Sequence, residues 1–283
     1  MDRTMDEDER AARAALSLTL QDRVPYAEDV TRLANAERRR ARQAMGALLA
    51  VALIDTVALV GSLSLWSYAR EIGAGGAYEE HRAASIDHTL QVSGALQLIG
   101  FVVCAIVFLR WFRIAVRHAH EDRLCGEAGA PMTYTVSEAT TYWFYPFLNL
   151  VRPYEIMRRL RRVSDADNLP TFEVATETAA PGYRDAAVQY ERVAPPRVSV
   201  PLGLWWGMYL ASNVSGHFVG RYDAETPAEL ETYGVILITS DLLGIASAIA
   251  AVLLIRGIHL NRRELYRRYA HWVDVIGGSD RQA

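Results

Sequence analysis

The sequence has no lysine, so all 30 residues counted as lysine or arginine are arginine. Without a lysine the protein cannot form a Schiff base with a carbonyl substrate. Only two cysteines are present, Cys104 and Cys125, too few for a framework of several disulfides. The sequence also lacks a glycine-rich phosphate-binding loop, a G-x-S-x-G turn and an H-E-x-x-H helix. We therefore expect a protein that is not an enzyme and that holds no metal or cofactor.

Long apolar stretches, by contrast, are abundant. Four of them contain 22 to 25 residues each: 44–68, 90–112, 198–219 and 233–255. A helix of that length measures roughly 33–37 Å, enough to cross the hydrocarbon core of a bilayer. Such stretches could also be buried helices of a large soluble protein, but little amphipathic helix remains to cover them. The pattern predicts an all-α integral membrane protein with four transmembrane helices.

Arginines are distributed unevenly around these stretches. The connections 69–89 and 221–232 are acidic, whereas the other flanks are rich in arginine. Because arginine-rich flanks stay in the cytoplasm, we expect both termini on the cytoplasmic side of a bacterial inner membrane. The arginines that support this orientation are Arg38, Arg39, Arg40, Arg42, Arg110, Arg113, Arg117, Arg123, Arg256, Arg262, Arg263, Arg267 and Arg268.

Residues 142–151 form a fifth apolar segment, which is only about half as long as a membrane span requires. Pro146 would break or kink a helix there, because proline lacks a backbone N–H donor. Both flanks of the segment are basic, so both should lie in the cytoplasm. We therefore expect a re-entrant or interfacial element that enters and leaves on one face. Asn149 and the carbonyls freed by Pro146 or Pro153 should face the bundle, where protein or water satisfies them.

This segment also carries a resemblance to a known family. It contains the pattern W-F-x-P-x-x-N-L-x-R-P-Y, made by Trp143, Phe144, Pro146, Asn149, Leu150, Arg152, Pro153 and Tyr154. Together with R-W-F-R at 110–113 and L-W-W at 204–206, the pattern resembles the bacterial membrane family called domain of unknown function 4328. The resemblance covers roughly residues 44–268. It implies a multi-span bacterial membrane protein and implies no particular activity.

Several polar residues lie inside the predicted spans or close to them. Asp55 and Asp241 fall near the middle of the first and fourth spans, where a charge facing lipid would be costly. Three interpretations are open: a path for protons or cations, a hydrogen-bond cluster that fixes helix register, or a pairing of one Asp with Arg110. The candidates for a shared polar site are Asp55, Gln97, Asn149, Asn213 and Asp241.

Small residues recur every four positions on the third and fourth predicted spans. Such stripes allow helices to approach closely. They could form the surface of a homo-oligomer, but the short connection between the two spans favours an interpretation in which they face each other. The residues concerned are Gly203, Gly207, Ala211 and Ser215 on the third span, and Gly244 and Ala248 on the fourth.

The remaining chain is expected to be cytoplasmic. Residues 1–43 would form an amphipathic N-terminal region, 164–197 a flexible linker, and 259–283 a basic tail that lies on the membrane surface. They connect a first helix pair with the re-entrant segment (44–163) and a second pair (198–258). Anionic lipid headgroups should bind Arg158, Arg159, Arg161, Arg162, Arg262, Arg263, Arg267 and Arg268.

These observations favour a non-enzymatic scaffold or sensor at the membrane, because cytoplasmic segments are present and catalytic motifs are lacking. The alternative is a small oligomeric channel or transporter for protons or cations that uses the intramembrane carboxylates. Anionic lipids are the expected partners, with a homo-oligomer and a cytoplasmic protein as further candidates. We expect no nucleic acid, because the membrane topology already explains where the arginines lie.

Overall fold

A computed structural model describes residues 24–120, 134–145, 147–164, 201–219, 221–222 and 224–279. Side chains are described throughout these ranges except at 24–31, 33, 219 and 265–279. Every regular element among the described residues is a helix. In chain order these are α1 (Val24–Gly73), α2 (Glu80–Ala119), α3 (Val136–Thr141), a 3-10 turn (Leu148–Leu150), α4 (Arg152–Val163), α5 (Leu202–Val219) and α6 (Pro227–Ser279).

Three of the helices are long and apolar enough to cross a membrane. They are Ala34–Gly73 within α1, Glu80–Ala119, and Pro227–Glu264 within α6. Helix α1 is central, because it packs against α2 on one side and against α6 on the other. Helices from the first and second predicted pairs therefore pack together in one bundle. Helix α5 packs mainly on α6 and is only 18 residues long, with polar side chains in its second half.

The connections between the helices are held by local hydrogen bonds. Tyr68 donates its hydroxyl to the carbonyl of Glu79 and accepts from the same residue's N–H, both at 3.0 Å, which closes the α1–α2 turn. A capping box begins α3, in which Thr135 and Glu138 bond each other's backbone N–H. The N–H and hydroxyl of Thr135 hold the pKa of Glu138 below its usual value. Thr226 and Glu229 make a similar exchange before α6.

The largest apolar core lies at one end of the bundle, which we call the basic end because it carries the arginines of 38–42, 110–117 and 256–263. Here α3, α4 and the start of α5 pack against the ends of α2 and α6. Aromatic and aliphatic side chains fill this core without exposure or nearly so: Trp111, Phe112, Ile156, Met157, Leu160, Trp205, Trp206, Ile255 and Ile258.

The tail after residue 258 differs from the prediction. It is not a separate helix on the membrane surface, because α6 runs without a break from Pro227 to Ser279. No proline follows Pro227 in this range, so nothing in the backbone chemistry interrupts the hydrogen-bond ladder. Residues 1–23 of the predicted N-terminal region, residues 165–197 of the predicted linker and Cys125 lie outside the described residues, whereas residues 24–43 belong to α1.

The two stripes of small residues do not face each other, so that prediction is wrong. Gly203 and Gly207 have open space where a side chain would begin, and Ala211 is exposed. Gly244 instead faces mainly α1, where an added Cβ would lie 2.7 Å from the Asp55 carboxylate; its neighbour on α5 is Ser212, 3.8 Å away, which is not a residue of the stripe. Helix α5 is turned so that its aromatic face meets the core, because burying Trp205 and Trp206 removes more apolar area from solvent than burying glycine.

Candidate functional site

Polar side chains from three helices meet in the middle of the bundle. Gln97 of α2 uses one amide nitrogen to donate to Asp55 Oδ1 of α1 and to Asp241 Oδ1 of α6, both at 3.0 Å. Ser62 of α1 donates to the other oxygen of Asp241 at 2.7 Å. Asp55, Asp241 and Ser62 are all buried. We call these four residues the carboxylate cluster.

The cluster holds two acids at short range. Because Asp55 Oδ1 and Asp241 Oδ1 each lie 3.0 Å from the same nitrogen, they are at most 6.0 Å apart (3.0 plus 3.0). Two negative charges at that distance repel by about 3 kcal/mol even with an effective dielectric constant of about 20. The amide of Gln97 offsets this repulsion, since each of its two hydrogens can bond one carboxylate. Gln97 therefore couples the three long helices.

Other residues predicted for a shared polar site do not join the cluster. Asn213 is exposed on α5 and donates to the carbonyl of Tyr209 in its own helix. Arg110 is exposed and lies 13 residues from Gln97 on α2, about 20 Å along the axis. Its pairing with either Asp is therefore excluded. Asn149 lies at the basic end, where its buried Oδ1 has no hydrogen-bond partner among the described residues.

The outward faces of α1, α2 and α6 change from apolar to arginine-rich at about the same height along the bundle. Each face is apolar beside the carboxylate cluster and carries exposed arginine nearer the basic end. On every helix the cluster residue lies roughly 10 residues, or about 15 Å, from this change. The exposed residues on either side of it are Leu49 and Arg42 on α1, Ile106 and Arg110 on α2, and Ile249 and Arg256 on α6.

A second buried polar cluster lies beyond this level, at the basic end. Arg262 of α6 donates from Nη1 to both oxygens of Glu37 of α1 at 3.1 Å, from Nε to Ser164 Oγ at 2.8 Å, and from Nη2 to the carbonyl of Ala115 at 2.9 Å. His118 of α2 lies 2.6 Å from Glu37 through Nδ1. We call Glu37, His118, Ser164 and Arg262 the Glu37 network. It joins α1, α2, α6 and the end of α4.

The prediction that Arg262 binds lipid headgroups is therefore wrong. Its side chain is 6% exposed and that of Glu37 is 1% exposed, so neither can reach a lipid. Arginine was expected at the surface because charged residues are seldom buried without a partner. One signal could have identified the partner: Glu37 is the single acid between residues 30 and 54, in a stretch with five arginines.

The remaining predicted headgroup arginines are placed as follows. Arg158, Arg162 and Arg263 are exposed, and Arg159 and Arg161 are half-buried. The side chains of Arg267 and Arg268 lie outside the described residues. Five of the predicted arginines thus have at least partial access to the surface.

The predicted re-entrant motif is anchored by an aromatic cluster. The ring of Trp143 packs edge-on against Phe108, Phe112, Trp206 and Tyr209, with ring centroids 5.3–6.3 Å apart. Trp206 also donates its indole N–H to the carbonyl of Leu150 at 3.0 Å. The segment is thus held between the ends of α2 and α5. Pro146 lies outside the described residues.

Its outer residues, by contrast, are apolar and exposed. Phe147 has 84% of its surface exposed and a backbone φ of 64°, a region that bulky residues rarely adopt. The other exposed members are Phe144, Tyr145, Leu148, Leu150 and Val151.

Helix α4 follows at once and has two different faces. Pro153, in the first turn, is buried with Ile156, Met157 and Leu160. Arg152 donates to Glu155 at 2.8 Å, which raises the pKa of the guanidinium, and to the hydroxyl of Tyr134 at 2.7 Å. The ring of half-buried Tyr154 lies 6.4 Å from that of Trp206.

A family model described as domain of unknown function DUF4328 matches residues 74–260 of the chain. The chain belongs to the DUF4328 family. This confirms the resemblance carried by the motif at 143–154, although the match is shorter than the range 44–268 that was expected. No curated protein and no solved structure matches the chain.

The DUF4328 match divides both polar clusters. It includes Gln97 and Asp241 but ends before Arg262, and it begins after Asp55 and Glu37. Helix α1, which supplies an acid to each cluster, thus ends directly before the matched range and lies entirely outside it. The packing of this DUF4328 protein shows that α1 is nonetheless the centre of the bundle.

Proposed function

We propose that this DUF4328 protein is a non-enzymatic multi-pass scaffold or sensor of the bacterial inner membrane. The change from apolar to arginine-rich surface supports the membrane placement, because it occurs at one level on α1, α2 and α6. The carboxylate cluster would then lie about 15 Å inside the hydrocarbon layer, near its middle. Arginines at the other side of the change favour a cytoplasmic basic end.

One observation carries the scaffold interpretation. Helices α1 and α6 each continue unbroken from the apolar level into the basic end, where Glu37 and Arg262 tie them together. A displacement of either helix inside the membrane must therefore move its cytoplasmic part. The hydrogen bonds of both clusters link helices of the same chain, which suits a frame that holds or transmits a shape.

Site-specific photo-crosslinking in cells tests the scaffold role. A crosslinking residue at Arg39 or Arg263, both exposed at the basic end, should give a discrete protein adduct. The same residue at Leu53, 67% exposed on the apolar surface, serves as the control and should give lipid adducts or none. If neither basic-end position yields an adduct above the Leu53 control, the scaffold proposal is wrong.

We further propose that α5 crosses the membrane as a fourth span and that residues 142–151 enter and leave on the cytoplasmic face. Single cysteines at Ser137 and Arg158, which flank the segment, should be labelled from the cytoplasm. A cysteine at Tyr78, in the α1–α2 turn, should be labelled from outside. External labelling of either flank would contradict the four-span arrangement.

A second candidate function is passage of protons or cations, favoured by the meeting of two carboxylates and Gln97 in mid-bundle. Proteoliposomes with the wild type, Asp55→Asn or Asp241→Asn would be compared for flux under an imposed gradient. Flux that both substitutions abolish supports this function. No flux, or flux that neither substitution alters, excludes it.

A further inference from the structure

We propose that the apolar segment at 142–151 is a membrane-surface anchor and that Arg158 and Arg162 beside it bind the headgroups of anionic phospholipids. This proposal rests on the membrane placement proposed above. The segment then lies at the bilayer surface, although the sequence was also compatible with a deeper re-entrant path. The ligand is a phospholipid of the cytoplasmic leaflet.

The segment has an inner and an outer side. Its inner side is Trp143, whose ring contacts four aromatic side chains of α2 and α5. Its outer side is apolar and exposed among the described residues: Phe144 is 69%, Phe147 84% and Val151 54% exposed. In water such a patch is unfavourable, whereas burial in lipid removes it from water at about 25 cal/mol per Å².

The level of the segment along the bundle favours the surface of the membrane over its interior. Trp143 packs on Phe108 and Phe112, which flank Arg110, the first exposed arginine on the outward face of α2. The segment therefore lies where that face changes from apolar to basic. Beyond residues 134–164, its described side-chain contacts are with the end of α2 and the start of α5, and none is with the carboxylate cluster about 15 Å further in.

Internal hydrogen bonds hold Phe147 in a conformation that leaves its side chain exposed. A left-handed backbone at a bulky residue is disfavoured and persists only where the surroundings fix it. The bond from Trp206 to Leu150 and that from the N–H of Leu150 to the carbonyl of Phe147, at 3.1 Å, fix this turn. The turn directs the phenyl ring away from the protein, where lipid would cover it.

Charge identifies the lipid. Arg158 and Arg162 stand four residues apart on the face of α4 opposite its buried side chains, so they point outward together. The helix begins directly after the apolar segment, which places these guanidinium groups within reach of the same leaflet. Arginine pairs phosphate oxygens with two parallel hydrogen bonds, and anionic headgroups add net attraction.

Nitroxide depth measurement tests the anchor with the full chain in vesicles of phosphatidylcholine and phosphatidylglycerol. Labels are placed on single cysteines at Phe147, Leu53 and Ser137, in a background with Cys104→Ala and Cys125→Ser. Oxygen accessibility, which is high in lipid, is compared with that of a water-soluble nickel chelate. We expect the Phe147 label to be oxygen-accessible but shallower than the Leu53 label, which lies beside the carboxylate cluster, and the Ser137 label to be nickel-accessible. A Phe147 label as deep as the Leu53 label would contradict the surface position and favour a deeper re-entrant path.

A Phe147 label as nickel-accessible as the Ser137 label would overturn the anchor, provided that the Leu53 label is in lipid. If the Leu53 label is itself nickel-accessible, the membrane placement fails and the anchor with it. The two failures are therefore distinguishable.

The headgroup claim is tested by native mass spectrometry of the full chain with added phosphatidylglycerol or phosphatidylcholine. Arg158→Gln with Arg162→Gln should weaken phosphatidylglycerol binding up to about 25-fold, since each arginine near an anionic surface contributes about a factor of five. Arg70→Gln with Arg221→Gln removes the same charge at the other end and is the matched control. Equal loss in both double variants, or no preference for phosphatidylglycerol, would refute the headgroup site.

Discussion

Replacing Arg262 with methionine is predicted to destabilise the protein more than any exposed arginine substitution does. The side chain makes four hydrogen bonds, to Glu37 twice, to Ser164 and to the carbonyl of Ala115, and all of these groups are buried. Methionine fills much of the same volume but offers no donor. The buried carboxylate of Glu37 would keep His118 and lose both hydrogen bonds from Arg262 Nη1.

The expected magnitude follows from the burial. Breaking a buried ion pair by removing one partner costs about 3–5 kcal/mol, because the remaining charge stays desolvated. For a protein of this size class each 1 kcal/mol shifts the melting temperature by about 2–4 °C. Arg262→Met should therefore lower Tm by roughly 6–20 °C, measured by tryptophan fluorescence in mild detergent.

The adjacent residue supplies the control. Arg263 is exposed on the same turn, so Arg263→Met should change the free energy of unfolding by about 0.5 kcal/mol at most. Combining Arg262→Met with Glu37→Leu should cost less than the sum of the two single changes, since an apolar pair leaves no buried charge. If Arg262→Met and Arg263→Met are equally mild, or the double variant is additive, the buried network does not stabilise the fold.

Three further predictions concern the packing and the carboxylate cluster, and each is checked by Tm in the same detergent. Gly234→Ala should destabilise the protein by about 1–3 kcal/mol, because the new Cβ would lie 2.9 Å from Cβ and 3.0 Å from Cα of Trp66. The control Gly207→Ala places its Cβ in open space and should be neutral or stabilising. If Gly207→Ala lowers Tm more than Gly234→Ala does, the packing of α6 on α1 is contradicted. Gln97→Leu should cost about 1–3 kcal/mol, since two buried carboxylates lose their common donor, and a neutral result would show that the bridge does not stabilise. Asn149→Leu should be neutral or stabilising because its amide oxygen has no described partner; a loss above about 1 kcal/mol would instead show that this oxygen is bonded in the native protein.

Much of the fold could be predicted from hydropathy, because a long apolar run in a helix has few alternatives. The runs at 44–68, 90–112 and 233–255 all lie within the three helices that can cross a membrane. The helix ends could not be predicted in this way, since α1 and α6 continue into polar sequence where hydropathy gives no signal. There their stability comes from tertiary packing and the Glu37 network.

The candidate sites show a similar division. Asp55, Gln97 and Asp241 were recognisable because polar residues inside apolar runs are costly and need partners. Arg262 was wrongly predicted to bind lipid headgroups, since the sequence around a charged residue outside an apolar run does not indicate that the residue is buried. The prediction that the two stripes of small residues face each other was also wrong. A repeat of small residues every four positions defines one face of a helix, but it does not indicate which neighbouring helix packs against that face.

The two polar clusters restrict how α1, α2 and α6 can move relative to one another. Helices α1, α2 and α6 each contribute to both clusters, at positions 18 residues apart on α1 and 21 apart on α2 and α6. Because these two positions are about 27–32 Å apart on each helix, none of the three helices can slide or tilt relative to the others unless the hydrogen bonds of one cluster break. Among the described residues, α5 contributes to neither cluster. A shift of α5 would therefore leave every hydrogen bond of both clusters intact, and it would instead have to break the bond from Trp206 to Leu150 and the packing of Trp143 on Trp206 and Tyr209.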